Sequence, residues 1–141
     1  MPLNTQEHTS KRYDAELETV RSRVLQMGGL VETQITAAIE ALSTGNLQLA
    51  DQTIANDHRV NALEVQIDED CAHIIARRQP AAGDLHMLVT VIKMITDLER
   101  IGDEAEKIAR MTKLIYSAER LMLPRFAEIK VAAGYALEML K

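Results

Sequence analysis

From Tyr13 to Leu42 the apolar side chains fall at Tyr13, Leu17, Val20, Val24, Met27, Val31, Ile35, Ala38 and Leu42, in steps that alternate four and three. A seam with that period winds slowly round a helix. It packs against another helix at the shallow angle of a coiled coil. About 30 residues of such helix extend roughly 45 Å. Ser43, Thr44, Gly45 and Asn46 follow as a turn, with Gly45 where helices favour a left-handed glycine. A second seam runs through Ala50, Ile54, Val60, Leu63, Ile67, Cys71, Ile74 and Ile75. It predicts a helix over 47–78, with Arg77 and Arg78 at the negative end of its dipole and Pro80 beyond it.

The third seam holds Leu88, Val91, Ile92, Ile95, Leu98, Ile101, Ala105, Ile108, Thr112 and Ile115. It predicts a helix from Leu85 to about Ser117, with Asp84 as its N-cap. Pro124 then restarts the chain, and Phe126, Ile129, Ala133, Leu137 and Leu140 form a fourth apolar pattern. The expected fold is all-α: an antiparallel, up-down three-helix bundle with coiled-coil-like packing, plus a C-terminal fourth helix. Residues 1–10 are polar and aperiodic and read as a flexible arm. Residues 11–118 form the three-helix unit, and 124–141 the fourth helix. Either the chain is a fragment of something longer or this last helix docks on a partner, since an uncovered apolar face would be an association liability. A homo-oligomer, as a homodimer, is the expected assembly.

Composition removes several classes of function. Aromatic residues are 3% of the chain and Trp is absent, which suits a helical core filled by Leu, Ile, Ala and Met. Net charge is −5, and no basic stripe is interleaved with aromatics, so nucleic acid is not an expected partner. The single cysteine, Cys71, forms no internal disulfide and sits on an apolar face as a small core residue. No apolar run approaches the roughly 20 residues of a membrane span. Met1 to Ser10 has no signal-type apolar segment, so a cytoplasmic protein without direct membrane insertion is expected.

The stretch Asp97-Leu98-Glu99-Arg100-Ile101-Gly102-Asp103 carries the chemistry. Glu99 and Asp103 lie four apart, on one helix face, where like charges cost about 0.2–0.5 kcal/mol. Gly102 between them costs a helix about 1 kcal/mol relative to alanine. Capture of a cation is the chemistry that offsets such costs. Helix two has its own acidic stripe, Asp57, Asn61, Glu64 and Asp68, bordering its apolar seam. Antiparallel pairing sets Glu64 level with Glu99, and Asp103 level with Val60 and Asn61. It also sets Gly28 and Gly29 level with Asn61. A narrow waist lined by Gly28, Gly29 and Gly102 is therefore expected, beside a metal groove formed by Asp57, Glu64, Asp68, Glu99 and Asp103.

The ordinary alternative is a solvated acidic surface, with Arg59, Arg100 and Lys107 as neutralising partners. If metal binds, all-oxygen ligation suits hard ions such as Mg, Ca, Mn or ferric iron. Glu-x-x-His, the di-iron signature of ferritin-like bundles, is missing: Gly102 stands three after Glu99. His8, His58, His73 and His86 read as arm, surface or rim residues. No nucleophile with an adjacent base, no phosphate loop and no zinc spacing appears, so the chain reads as a non-enzyme.

Taken together these residues resemble the PhoU family of phosphate-transport accessory proteins. The likeness is carried by Glu99-Arg100-Ile101-Gly102-Asp103 followed by Ala105, Ile108 and Ala109, and by Arg78-Gln79-Pro80-Ala81 leading into Asp84-Leu85. Met27-Gly28-Gly29-Leu30-Val31-Glu32 and Val65-Gln66-Ile67-Asp68 match the first two helices. His86 departs from the arginine usual in the family. The resemblance implies two tandem three-helix repeats, of which this chain would hold the first and the start of a truncated second. It implies a carboxylate metal site that includes Glu99 and Asp103, filled by iron or another metal such as Mg, Ca, Mn or Zn. It further implies a negative regulator of the phosphate-starvation response that modulates phosphate transport. Its partners would be the transporter ATPase subunit and the sensor histidine kinase PhoR, which would recruit it to the inner face of the membrane. Two other readings stand beside it: a metal-buffering bundle without a signalling role, and a structural oligomerisation module.

Overall fold

A computed structural model describes the backbone of residues 2–139, and side chains except those of 2–9 and 118–130. The chain forms three helices, α1 (Pro2–Thr44), α2 (Leu47–Arg78) and α3 (Ala82–Met139), each packed against the other two. Two short turns make consecutive helices antiparallel, so the architecture is the all-α up-down bundle that the three seams require.

The first turn follows from its residues. Gly45 adopts φ 69° and donates its amide to the Ala41 carbonyl at 2.8 Å. Asn46 then caps α2, its side chain accepting the Leu49 amide at 3.0 Å. Tyr116 of α3 lies over this turn and donates its hydroxyl to the Leu42 carbonyl at 2.8 Å. The second turn uses Gln79 in the left-handed region, φ 44°, before Pro80.

The core is continuous but changes in character along the bundle. Toward the α2–α3 turn, Val20, Met27, Ile67, Cys71, Leu88 and Ile95 are fully buried. Toward the α1–α2 turn it is made of Ala41, Ala50 and Ala109, with Leu49 and Ile54 packed against them. The buried residues of α1 include Met27, Val31, Gln34, Ala38 and Ala41, whereas Leu42 is exposed. Cross-helix polar ties hold the surface. Arg78 pairs with Glu16, Arg23 with Asp70, Lys113 with Asp51, and Tyr13 donates to Asp84 at 2.9 Å.

Three sequence expectations differ from the structure. The backbone is helical from Pro2, where a loose arm is expected; proline is well suited to the first helical position. Asp84 lies inside the first turn of α3, not at its N-cap, because the helix begins at Ala82 and the Leu85 amide bonds the Ala81 carbonyl. The α3 backbone also continues as one helix through Pro124 to Met139, where a break and a separate fourth helix are expected. Proline removes one backbone hydrogen bond, a local cost of about 3 kcal/mol. Of the fourth pattern, Leu137 is exposed, while Phe126, Ile129 and Leu140 lie outside the described side chains.

Candidate metal centre

Asp57 on α2 and Asp103 and Glu106 on α3 each bring a carboxylate oxygen within 4.8 Å of the others. Asp57 is 5% exposed and Glu106 half-buried. Two residues hold Asp57 in place. Gln34 of α1 donates Nε2 to its Oδ1 at 3.0 Å, and Asn61 donates Nδ2 to its Oδ2 at 3.3 Å. Arg110 donates Nε to Glu106 Oε1 at 2.9 Å, one helical turn further on.

The electrostatics follow from the crowding. The Glu106 carboxyl is pushed above the ordinary glutamate value of 4.5, first by its hydrogen bond to Asp57, against the opposing pull of Arg110. Burial and the Asp57 charge add to the rise. The proton on Glu106 is thus favoured by Asp57 and by burial and opposed by Arg110.

Gln34 is 2% exposed, and its Oε1 accepts no hydrogen bond. Because its amide nitrogen faces Asp57, the oxygen is turned toward Gly102. A Cβ on Gly102 would stand 3.0 Å from that oxygen and 3.4 Å from Asp57 Oδ1. Glycine thus keeps open a point that both oxygens can reach. An unsatisfied buried acceptor costs about 1–3 kcal/mol. The three carboxylates form an all-oxygen donor set that fits a hard cation, and Gln34 Oε1 faces Gly102 beside Asp57.

The five sequence-derived carboxylates divide into two groups. Asp57 and Asp103 enter the cluster. Glu64, Asp68 and Glu99 gather separately, roughly 10 Å along α2 at its rise per residue. Glu64 does face Glu99: its carboxyl is raised by burial first, then by Glu99 and Asp68. The waist is narrower in scope than expected. Gly102 is buried and closely approached by Gln34, Asp57 and Val60, but a Cβ on Gly28 or Gly29 would meet nothing within 4 Å. On α1 it is Gln34 that meets Gly102, roughly 8 Å along the helix from Gly29, and Met27 and Val31 take the inward positions and turn both glycines aside.

Glu106, Gln34 and Arg110 were missed from the sequence. Glu106 is three residues after Asp103 and so extends the Glu99–Asp103 face. Gln34 interrupts an apolar seam, which the polar label of its side chain conceals. Of the expected neutralising residues Arg59, Arg100 and Lys107, Lys107 pairs with Glu104; the cation that meets the cluster is Arg110, outside that set. Cys71 is a core residue, fully buried, with its thiol pushed up to about 11 by burial first and then by Asp68 and Asp70.

A three-helix bundle that gathers carboxylates between its rods is a helical scaffold that could hold a cation. The chain belongs to the PhoU family: the PhoU domain model matches residues 24–112. It is 46% identical over 134 residues to a phosphate-specific transport system accessory protein PhoU homolog from Burkholderia sp, covering 94% of this chain and 57% of that one. It is 41% identical over 138 residues to the phosphate-specific transport system accessory protein PhoU of Escherichia coli (strain K12), covering 98% and 56%. The crystal structure of PhoU from Pseudomonas aeruginosa aligns with a TM-score of 0.73 at 48% identity, covering 75% of this chain and 51% of that one. The chain thus spans somewhat over half the length of these two curated relatives. No helix among the described residues is long and apolar enough to cross a membrane.

Proposed function

We infer that this chain is a phosphate-transport accessory protein acting as a regulatory adaptor, without catalytic turnover. The observation that carries this reading is its identity to phosphate-specific transport system accessory proteins along nearly the whole of its length. In the cytoplasm it binds the ATPase subunit of the phosphate transporter and the kinase PhoR, as a homodimer. It acts as a negative regulator of the phosphate-starvation response.

Asp57, Asp103 and Glu106, with Gln34 Oε1, would hold a divalent or ferric ion. Such an ion supplies positive charge to buried carboxylates and a link from α2 to α3. Glu64, Asp68 and Glu99 form an acidic margin beside it. The orphaned Gln34 oxygen supports this assignment.

The test has two parts. Pull-down against the transporter ATPase and the kinase cytoplasmic domain should capture the chain. Failure with both removes the adaptor reading. Titration of metal-free protein with Mn²⁺ should raise unfolding stability by about 2.7 kcal/mol at a hundredfold excess over Kd. Asp103→Asn should lower that affinity roughly tenfold or more while the metal-free fold persists. A wild-type chain indifferent to Mn²⁺ and ferric ion alike removes the cation from the reading. Charge reversal at Asp57 and Asp103 that leaves both partner interactions intact would separate the cluster from signalling.

A further inference from the structure

At the other end of α2, against the early part of α1, lies a groove of about 410 Å³. Arg12 and Arg23 line it from α1, and His73, Arg77 and Arg78 from α2. It is roughly 24 Å along α2 from Asp57, and shares no residue with the carboxylate cluster. The chain carries 16 basic and 21 acidic residues, so four arginines in one groove run against its overall charge.

Among the described residues two carboxylates line the groove, Glu16 and Asp70. Arg78 donates Nη2 to Glu16 at 3.0 Å, and Arg23 pairs with Asp70. Arg12 and Arg77 are left as an excess of positive charge, both exposed. The Glu16 carboxyl is held below its ordinary range, first by the Arg78 hydrogen bond, and His73 and Arg77 add to the effect. The two ion pairs also tie α1 to α2 and so fix two guanidiniums in place. Each guanidinium has five N–H donors, so a paired arginine keeps donors to offer. Between the arginines the surface is low and partly apolar, made by Ala15, Thr19 and Ile74. The Thr19 hydroxyl is turned to the Ala15 carbonyl at 2.9 Å.

We propose that this groove binds a phosphoanhydride anion, a nucleoside polyphosphate or an inorganic polyphosphate chain. The guanidinium fork matches phosphate oxygens in pairs. Arg12 and Arg23 are separated by about 16 Å along α1, so a single phosphate would reach only one part of the row. Linked phosphates can span it. The volume is within the range of small-molecule sites, about 300–1,000 Å³. The apolar floor gives a nucleoside a place to lie, and an inorganic chain would use the arginines alone.

The test is calorimetric titration of the full chain with ATP, tripolyphosphate, orthophosphate and sulfate, in chelator and at low salt. Excluding divalent ions keeps the carboxylate cluster out of the measurement. Saturable binding of ATP or tripolyphosphate, much tighter than that of orthophosphate or sulfate, is expected. Arg12→Ala with Arg77→Ala should weaken it by roughly tenfold or more. Both residues are exposed and outside the two ion pairs, so the chain should stay folded, its thermal midpoint falling only by the small contribution Arg77 makes at the C-terminal end of α2. Arg59→Ala, on an exposed part of α2 outside the groove, should bind as wild type. Tighter ATP than tripolyphosphate assigns the floor to the nucleoside; the reverse assigns the site to the phosphate chain. The proposal is overturned by equal weak binding of all four anions, or by unchanged affinity in the double variant.

Discussion

The two ends of the bundle have cores of different kinds. Near the α2–α3 turn the rods are held apart by Val20, Met27, Ile67, Leu88 and Ile95. Near the α1–α2 turn they close on Ala41, Ala50 and Ala109. Buried Thr53 and Thr112 at the narrow end return their hydroxyls to Leu49 and Ile108 of their own helices, so neither needs a cross-helix partner. Gln34, Asp57 and Gly102 lie where the wide core gives way to the narrow one. Apolar burial thus secures the fold at one end, and close approach of backbones becomes available for polar chemistry where the core thins.

The sharpest way to break that division is to remove bulk from the wide end. Leu88 is fully buried, and Leu88→Ala should cost about 2–5 kcal/mol in urea unfolding of the metal-free chain. Ala109, equally buried, is limited in the opposite sense. Ala109→Leu should cost about 1–3 kcal/mol by overpacking. If Ala109→Leu stabilises the chain instead, the narrow end is underpacked and the contrast fails.

Acid separates the same regions by sign. Glu106 and Glu64 bind protons more tightly in the folded chain. Their ionisation therefore lowers stability as pH rises from 4.5 through their raised values. Glu16, paired with Arg78 near the other turn, binds its proton less tightly when folded. Its contribution is complete above 4.5 and is lost as pH falls through its depressed value. Urea unfolding of metal-free protein across this range should show Glu106→Gln flattening the loss toward neutral pH. Glu16→Gln should flatten only the loss in acid. A common response of both variants would mean that the pair of environments is not distinct.

Helix identity and level were legible in the sequence, and azimuth was not. The α2 limits at Leu47 and Arg78 follow from the Gly45–Asn46 signal and from Pro80. The level of Asp103 beside Val60 follows from turn position alone, and Gly102 does meet Val60. Rotation of each rod depends on which of two adjacent rows is buried. On α1 the row Gln34, Ala38, Ala41 is inward, and a seam traced through Ile35 and Leu42 points a fraction of a turn away. Gln34 and the diverted Gly28 and Gly29 both follow from that small angle. Glu106 was within reach, because its spacing from Asp103 places it on the same face.

The turns extend the comparison to single residues, with smaller effects. At the narrow end Gly45 has φ 69° and a Cβ there would collide with the Tyr116 ring. Gly45→Ala should therefore cost about 1–2 kcal/mol or more, from the left-handed backbone together with displacement of Tyr116. A neutral result would show that the ring moves freely and that its bond to the Leu42 carbonyl adds nothing. At the wide end Gln79 adopts the same left-handed conformation with a side chain in place. Glycine relieves that strain, but loses more conformational entropy on folding. The balance favours Gln79→Gly by at most about 1 kcal/mol, the smallest effect considered and opposite in sign to Gly45→Ala. The measurement is the urea midpoint of each variant beside wild type. If Gln79→Gly is destabilising, the glutamine side chain contributes to the turn, and the two turns differ in more than their tolerance of a Cβ.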